Sequence, residues 1–427
     1  MAKRTVVVGI LGGGTVGAAV VDILGRRQSE IAARTGITFE VRQVCVRDLG
    51  RQRSIPSDLL TDDPWQVVKN PDVDVVLELM GGIEPAKATI EVALDDAKPV
   101  VTANKELVAA HGRSLIERAS ANGVDLLFEA AVAGGIPLMR PLRESLAGED
   151  IKRLVGIING TTNYVLTRMT EAGASYDEAL AEAKELGYAE ADPTADVENH
   201  DAAAKAAIIS NVAFGTEIVA ADVYREGISS IGADDIKLAA RLGYVIKPVG
   251  IVERAEDGRV GVRVHPAMLK QEHPLASVRL SFNAVFVEGD QAGELMFYGR
   301  GAGGQPTASA VIGDLIDAAH NQLAGSSGHM PEFGTAEVLP IAEQSSPFYL
   351  VLDVNDRPGV LAAVAGIFGN NDVSIRSMEQ LGLGQEARLV FVTHSATEAN
   401  LGATIDELRS ATDVIRVGNV VRVLGDA

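Results

Sequence analysis

The sequence predicts an α/β protein in three parts: a doubly wound parallel sheet, a second α/β region, and a small βαββαβ unit at the carboxyl end. Three observations carry this expectation. From Val6 to Glu129, short continuous apolar runs alternate with helical segments, the pattern of strands buried on both faces and joined by crossover helices. The first run feeds a glycine cluster, Gly12-Gly13-Gly14-Thr15-Val16-Gly17, that opens a helix. From Phe348 onward, strand and helix patterns follow in the order of the ferredoxin-like split unit.

The elements follow in order. Val6–Leu11 is the first strand, and Ala18–Leu24 continues the helix that the glycines open. Further strands are expected at about Phe39–Val46, Val73–Leu79, Pro99–Thr102 and Asp125–Glu129, with helices at Pro85–Asp95 and Lys105–Ala121. Beyond Glu129 a small, Gly-containing loop runs to Pro137, and a helix is expected from about Leu138. Strand patterns recur at Ile151–Ile158, Lys247–Glu253, Arg259–Val264 and Ala284–Val287, with helices at Ser175–Leu186 and His200–Phe214. A helix over Thr307–Leu323 is expected to return to the first sheet. The terminal unit reads as strand Phe348–Val354, helix Pro358–Phe368, paired strands Val373–Leu381 and Arg388–His394, helix Glu398–Ser410, and strand Val414–Val423. The expected divisions are therefore 1–130 with about 305–325, 131–304, a linker over 326–346, and a terminal unit over 347–427.

Composition narrows the function. The 427 residues carry a net charge of −20, which argues against nucleic acid or an anionic membrane as partner. A 47% hydrophobic content with only 4% aromatic residues calls for cores of Ala, Val, Ile and Leu. The single cysteine, Cys45, excludes an internal disulfide and fits a reducing, cytoplasmic setting. No signal-peptide layout or long apolar span is present, and the histidines show no zinc-binding spacing.

Gly-x-Gly-x-x-Gly between a strand and a helix is the dinucleotide fingerprint of a Rossmann-type sheet. Its turn lets the backbone approach a pyrophosphate, and the helix start offers N–H groups and positive dipole. Gly12, Gly14, Thr15, Val16 and Gly17 are the expected contacts. The second strand ends in Val46-Arg47-Asp48, with Arg51 and Arg53 nearby. An acid there suits the ribose 2′-hydroxyl of NAD, whereas an arginine pairs with the 2′-phosphate of NADP. The arginines, Arg47 first among them, favour NADP and leave NAD open. Ligands of such sheets sit outside the carboxyl ends of the strands, which is where Thr102-Ala103-Asn104-Lys105 falls. Thr102 and Lys105 are accordingly expected at the cofactor.

Residues 183–205 carry the most specific signal. A helix ends at Gly187, a turn around Asp192-Pro193 carries Glu190 and Asp196, and a second helix places Asp201 and Lys205 four residues apart on one face. The run Gly-Tyr, acid, Asp-Pro-x-x-Asp, Asp-x-x-x-Lys resembles the signature of homoserine dehydrogenase. Asn199 stands where that family has glycine; if the position needs a positive φ, Asn is the next best tolerated residue. Val-Val-Thr-Ala-Asn-Lys at 100–105 resembles the same family, and the resemblance extends from residue 1 to about 325.

The resemblance implies reduction of L-aspartate 4-semialdehyde to L-homoserine with NAD(P)H. Reduction of an aldehyde creates an alkoxide that needs a proton and nearby positive charge, which Lys205 and Lys105 can supply. By analogy Lys205 donates the proton and Lys105 holds the oxygen, with the reverse assignment open. Glu190 is the first candidate for the substrate ammonium, with Asp196, Asp201 and Gly187 completing the substrate set. The loop Glu129–Ile136 resembles the family's sodium-binding loop, which implies Glu129 with the backbones of Val132, Gly134 and Ile136. Gly301 and Gly303 resemble its late glycine turn beside the cofactor.

Asn355-Asp356-Arg357-Pro358-Gly359-Val360-Leu361 resembles the ACT domain, a regulatory module for amino acids. The implied effector is L-threonine and the implied assembly a homodimer or homotetramer; a dimerisation module without ligand is the alternative. Two other classes stand as rivals. A phosphoglycerate-type dehydrogenase with an ACT tail would need a His–acid pair and an arginine, and no match to its motifs is found. An amino-acid sensor without catalysis would need neither Lys105 nor Lys205.

Overall fold

The computed structural model describes residues 4–382 and 384–425. The chain folds into two compact units, each assembled from three stretches: 1–153, 203–223 and 282–337 in the first, and 154–202, 224–281 and 338–427 in the second.

The parallel sheet of the first unit has six strands, β1 Arg4–Leu11, β2 Ile37–Cys45, β3 Leu60–Thr61, β4 Val75–Glu78, β5 Val100–Thr102 and β6 Leu126–Leu127. They are parallel and lie in the order 3-2-1-4-5-6. The order reverses between β1 and β4, which opens a crevice at the carboxyl ends of those strands. The sequence pattern is explained by burial: Val75–Glu78 and Val100–Thr102 are buried at every position, so apolar residues run on without alternation. The helix Gly304–Ala324 lies against this sheet. Its Ala308, Val311, Ile312, Leu315, Ala318 and Ala319 share one core with Val8 and Ile10 of β1, Leu77 of β4, and Val20 and Leu24 of the helix Thr15–Arg26.

Three elements of this unit differ from expectation. The helix expected from Leu138 shrinks to a wide, π-type turn at Pro141–Ser145. Pro141 has no N–H with which to continue an α-helical ladder. The two-residue strand β3 is too short to leave a pattern. Gly293–Arg300 is a strand that pairs antiparallel with Phe282–Gly289, although its glycines and charges do not advertise one.

In the second unit β7 is Ile151–Ile157, which enters it at Leu154; the others are β8 Tyr244–Arg254, β9 Val260–Lys270, β10 Phe348–Asn355, β11 Ile375–Gly382, β12 Glu386–Thr393 and β13 Val414–Leu424. Their order is β7-β8-β9-β13-β10-β12-β11. The tail from Phe348 has the expected βαββαβ order, but its sheet is not separate. Ala267–Leu269 of β9 pair in parallel with Arg422–Leu424 of β13, which joins the two halves into one sheet.

The tail strands β10 and β12 are buried on both faces. Phe348, Leu350, Leu352, Leu389 and Phe391 pack with Val360, Val364 and Phe368 of the helix Val360–Asn370 and with Leu401 and Leu408 of the helix Glu398–Ser410. The opposite face, Tyr349, Val351, Val390, Val392, Val421 and Val423, shares a core with Tyr164, Val165, Leu166, Met169, Ile228 and Ile236. A freely tethered module would keep that second face polar. Here it is one wall of the unit's main core.

Candidate active site

The carboxyl ends of β1, β2 and β4 surround a cleft of about 1310 Å³, lined by Gly12–Thr15, Val46, Arg47, Asp48, Arg51 and Leu79–Gly82 among others. Its floor requires the glycines. At Gly12, φ is +107° and a Cβ would lie 2.5 Å from the Leu79 carbonyl oxygen. At Gly17 a Cβ would collide with the Gly12 carbonyl, whereas at Gly14 it would meet open space. Gly12 and Gly17 thus close the turn against the helix, and Gly14, the N-cap of Thr15–Arg26, faces the opening. This is the shape that admits a pyrophosphate to a helix N-terminus. Arg47 and Arg51 are exposed on the rim, while Arg53 braces the loop by donating to the Asp48 and Arg51 carbonyls at 2.6 and 2.8 Å. Burial and the carboxylates of Asp63 and Asp62 push the Cys45 thiol up to about 11, so this cysteine is wall rather than nucleophile.

Beside that cleft, the ends of β4 and β5 are tied together by buried polar groups. Thr102 Oγ1 donates to Glu78 Oε2 at 2.7 Å, and the Met80 N–H donates to Glu78 Oε1 at 2.8 Å. Asn104 caps the helix Lys105–Ala121, its Oδ1 accepting from the Leu107 N–H at 3.1 Å. Lys105 is therefore the first residue of a capped helix at the sheet's carboxyl edge, half-buried.

The loop after β6 is organised differently from the expectation that a cation meets the Glu129 carboxylate. That carboxylate accepts from the N–H groups of Leu138, Met139 and Arg140 at 2.5, 2.8 and 2.8 Å, as an acid does at a helix start. Ala133 and Gly134, with φ of +58° and +54°, turn the chain back on itself. At Gly134 a Cβ would collide with the Gly301 carbonyl, and the Gly135 N–H donates to Arg300 O at 3.1 Å. The turn 301–303 is thus packed against this loop, and a Cβ at Gly304 would lie 2.9 Å from Thr15 Cγ2. Residues far apart in sequence, Gly134, Gly301 and Thr15, are gathered here. Beneath them Asp314 Oδ2 accepts the Glu129 N–H at 2.8 Å. Its own burial, and next the neighbouring Glu129 charge, raise the Asp314 carboxyl to about 7. Among the described residues no cluster of three or more His, Cys, Asp or Glu side chains could hold a metal.

The 183–205 signature folds as its local chemistry dictates. Leu186 and then Gly187, at φ +75°, close the helix Tyr176–Glu185. Asn199 has φ +59°, the left-handed conformation that the glycine of related signatures permits, and its side chain is held by donation to Glu226 O at 2.7 Å. The helix His200–Phe214 follows, with Asp201 buried and Lys205 half-buried one turn later. Asn159 brings two of the acids together: its Nδ2 donates to Asp196 Oδ1 at 2.7 Å and Asp201 Oδ2 at 2.9 Å. Its Oδ1 caps the helix Gly160–Ala172 through the Thr162 N–H. Glu190 and Gly187 lie exposed on the preceding turn, outside this cluster. Asn159 was not among the expected residues; its only sequence signal is an Asn-Gly-Thr-Thr helix start after an apolar strand.

Family models match the chain in three consecutive stretches: the homoserine dehydrogenase NAD-binding domain over residues 12–129, homoserine dehydrogenase over 137–316, and the ACT domain over 348–413. The curated homoserine dehydrogenase of Corynebacterium glutamicum is 48% identical, with 98% of this chain and 96% of that protein covered. The chain belongs to the homoserine dehydrogenase family. The counterpart from Mycobacterium leprae is 49% identical over 99% of this chain and 98% of its own. Among solved structures, the homoserine dehydrogenase of Thiobacillus denitrificans superposes with a TM-score of 0.93 at 40% identity, covering 98% of both chains. A hyperthermophilic archaeal homoserine dehydrogenase mutant, solved in complex with NADPH, matches 74% of this chain and 98% of its own at a TM-score of 0.63 and 30% identity.

As a member of this family the protein is an NAD(P)-dependent oxidoreductase with an ACT domain. In that domain the turn Asn355–Gly359 and the helix start at Val360 line a cleft of about 360 Å³, together with Gln380 and Leu389. Gly359, at φ +94°, is the N-cap of Val360–Asn370, and a Cβ there would meet only open space.

Proposed function

We propose that the enzyme reduces L-aspartate 4-semialdehyde to L-homoserine, using NADPH in preference to NADH. The observation that carries this reading is the pairing of the glycine-floored cleft, rimmed by Arg47 and Arg51, with two lysines on capped or well-packed helices. Gly12, Gly14, Thr15, Val16 and Gly17 bind the pyrophosphate, and Thr102, Gly301 and Gly303 border the nicotinamide end. Bound there, the dinucleotide supplies the hydride to the aldehyde carbon. Lys205 delivers its ammonium proton to the aldehyde oxygen, and Lys105 holds that oxygen by charge and hydrogen bonding. Asp201, held with Asp196 by Asn159, orients the helix face that bears Lys205. Glu190, with Gly187 at its turn, receives the substrate ammonium.

A sodium ion fits the loop 129–136 only through main-chain oxygens, those of Glu129, Val132, Gly134 and Ile136, because the Glu129 carboxylate is committed to three N–H groups. Its role would be to stiffen the loop against the turn 301–303. Residues 1–130 with 305–325 then serve the cofactor, 131–304 the substrate and pairing of subunits, and 347–427 regulation. The ACT cleft takes a downstream amino acid, L-threonine, whose carboxylate approaches the helix start at Gly359 and Val360. The assembly is a cytoplasmic homodimer or homotetramer; exposed Met296 and Tyr298 on the strand Gly293–Arg300 support contact with a second copy.

The decisive test is oxidation of NADPH and NADH by purified enzyme with aspartate semialdehyde, with and without threonine. No turnover with either cofactor overturns the reading, and a preference for NADH reverses the role of Arg47.

A further inference from the structure

We propose that Glu78 is a positioning residue for the reduction, tying the cofactor-facing loop after β4 to the lysine-bearing helix after β5. The inference rests on the reading of Lys105 as a residue that acts on the substrate oxygen. Glu78 ends β4 with its side chain fully buried, in a place where most strands would carry another aliphatic residue. Its two oxygens divide the work. Oε1 accepts from the Met80 N–H at 2.8 Å and the Gly81 N–H at 3.3 Å, and both residues line the dinucleotide cleft. Oε2 accepts from Thr102 Oγ1 at 2.7 Å.

The Thr102 hydroxyl has a defined polarity. Its oxygen accepts from the Asn104 N–H at 3.0 Å, so its proton goes to Glu78. Asn104 then closes the ring in both directions: Nδ2 donates to Gly82 O at 2.6 Å, and Oδ1 caps the helix at Leu107. One carboxylate thereby fixes Met80–Gly82 on one side and the residue before Lys105 on the other. Donors converge on the ionised form, which offsets part of the cost of burying a charge. Burial still outweighs them, so the carboxyl group titrates above its usual range. A purely structural role would be served as well by an apolar residue at this strand end, and at lower cost.

The test is a double-mutant cycle on kcat, with Glu78→Gln, Lys105→Ala and both together, and with NADPH binding and thermal melting measured alongside. Glu78→Gln keeps the volume but cannot accept at both ends. It is expected to lower kcat about 10- to 100-fold, the scale set by misplacing a reacting group by about an ångström. In the Lys105→Ala background the same change should lower kcat less than about twofold, because residues acting as a unit are not additive. Equal fold-losses in the two backgrounds, or a single variant within about twofold of wild type, would overturn the inference. If Lys105→Ala alone keeps wild-type kcat, the reading of Lys105 fails, and the proposed tie has no catalytic consequence. Should Glu78→Gln not fold, Asn104→Asp carries the cycle: it retains the cap at Leu107, turns the donor to Gly82 O into a repelling oxygen and adds a carboxylate beside Glu78, and the same two outcomes decide.

Discussion

The two compact units bury charge for different purposes. In the first, buried polar side chains gather at the carboxyl ends of parallel strands: Glu78, Thr102 and Asn104 after β4 and β5, Glu129 and Asp314 after β6. Their partners are mostly backbone N–H groups of loops, so the charge is used to hold loops in shape. In the second, apart from Asp201 at the candidate site, buried arginines sit where strands of the sheet meet neighbouring stretches. Arg422 of β13 meets Glu398 at 2.8 Å and Glu226 at 2.9 Å, and stacks over Tyr224. Arg263 of β9 meets Glu253 at 2.6 Å and Gln344 at 2.7 Å. Those contacts tie β9 and β13 to the stretches 224–226, 253, 344 and 398. The lesson is that one fold spends desolvation on ligand-facing loops where chemistry occurs, and on register where the chain closes its sheet.

The comparison breaks most visibly if the tail proves dispensable. Ending the chain at Ser345 removes Tyr349, Val351, Val390, Val392, Val421 and Val423 from the second unit's core. Each large side chain lost from a core is worth about 2–5 kcal/mol, and net stabilities are only about 5–15 kcal/mol. The truncated protein should therefore be aggregated or molten, as read by circular dichroism and gel filtration. A soluble, active fragment would mean the tail is a tethered module after all.

Lys205→Ala should reduce kcat by about 10²–10⁴-fold while NADPH affinity changes little, since a positioned acid is lost and the cleft is untouched. Retention of more than roughly a third of wild-type kcat would remove Lys205 from the chemistry. Arg422→Met should cost about 3 kcal/mol in urea unfolding, because it strands the largely buried Glu398 carboxylate, while the more exposed Glu226 keeps water and the Tyr224 hydroxyl. A cost under about 1 kcal/mol would show that the junction is wetter than its geometry, and would blur the contrast between the units. Arg47→Ala should raise KM for NADPH about tenfold or more, from loss of about 1.5–3 kcal/mol of charge-assisted bonding, and leave KM for NADH nearly unchanged.

The last test concerns pH. The Asp314 carboxyl is raised from 3.8 to about 7 on folding, so the folded state binds the proton more tightly than the unfolded one. Stability from this group is therefore full below about pH 4 and is lost as pH rises toward 7, with a slope of at most about 1.4 kcal/mol per pH unit. Asp314→Asn should flatten that part of the stability profile. An unchanged profile would mean that Asp314 stays ionised, held by Arg140 at 3.6 Å.

Much of the local geometry around the candidate site was legible in the chain because it is set by near neighbours. The glycine turn at 12–17, the helix start at Lys105, the four-residue spacing of Asp201 and Lys205, and the left-handed Asn199 all follow from neighbours within one turn. So does the element order of the ACT domain, since buried strands and capped helices write their own periodicity. What the chain could not declare was set by contacts between distant stretches. The Glu129 carboxylate suggested a cation ligand in the sequence, whereas in the fold it faces three N–H groups at 138–140, which leaves only the main-chain oxygen for that part. Asn159 drew no expectation and Glu78 read as a strand residue; only packing turned Asn159 toward Asp196 and Asp201, and Glu78 toward Thr102 and Met80. The fusion of β13 to β9 is of the same kind. Valines that bury a strand on two faces look alike whether the second face meets its own domain or another stretch of chain, and that choice belongs to the tertiary structure, where the apolar area finds its partner.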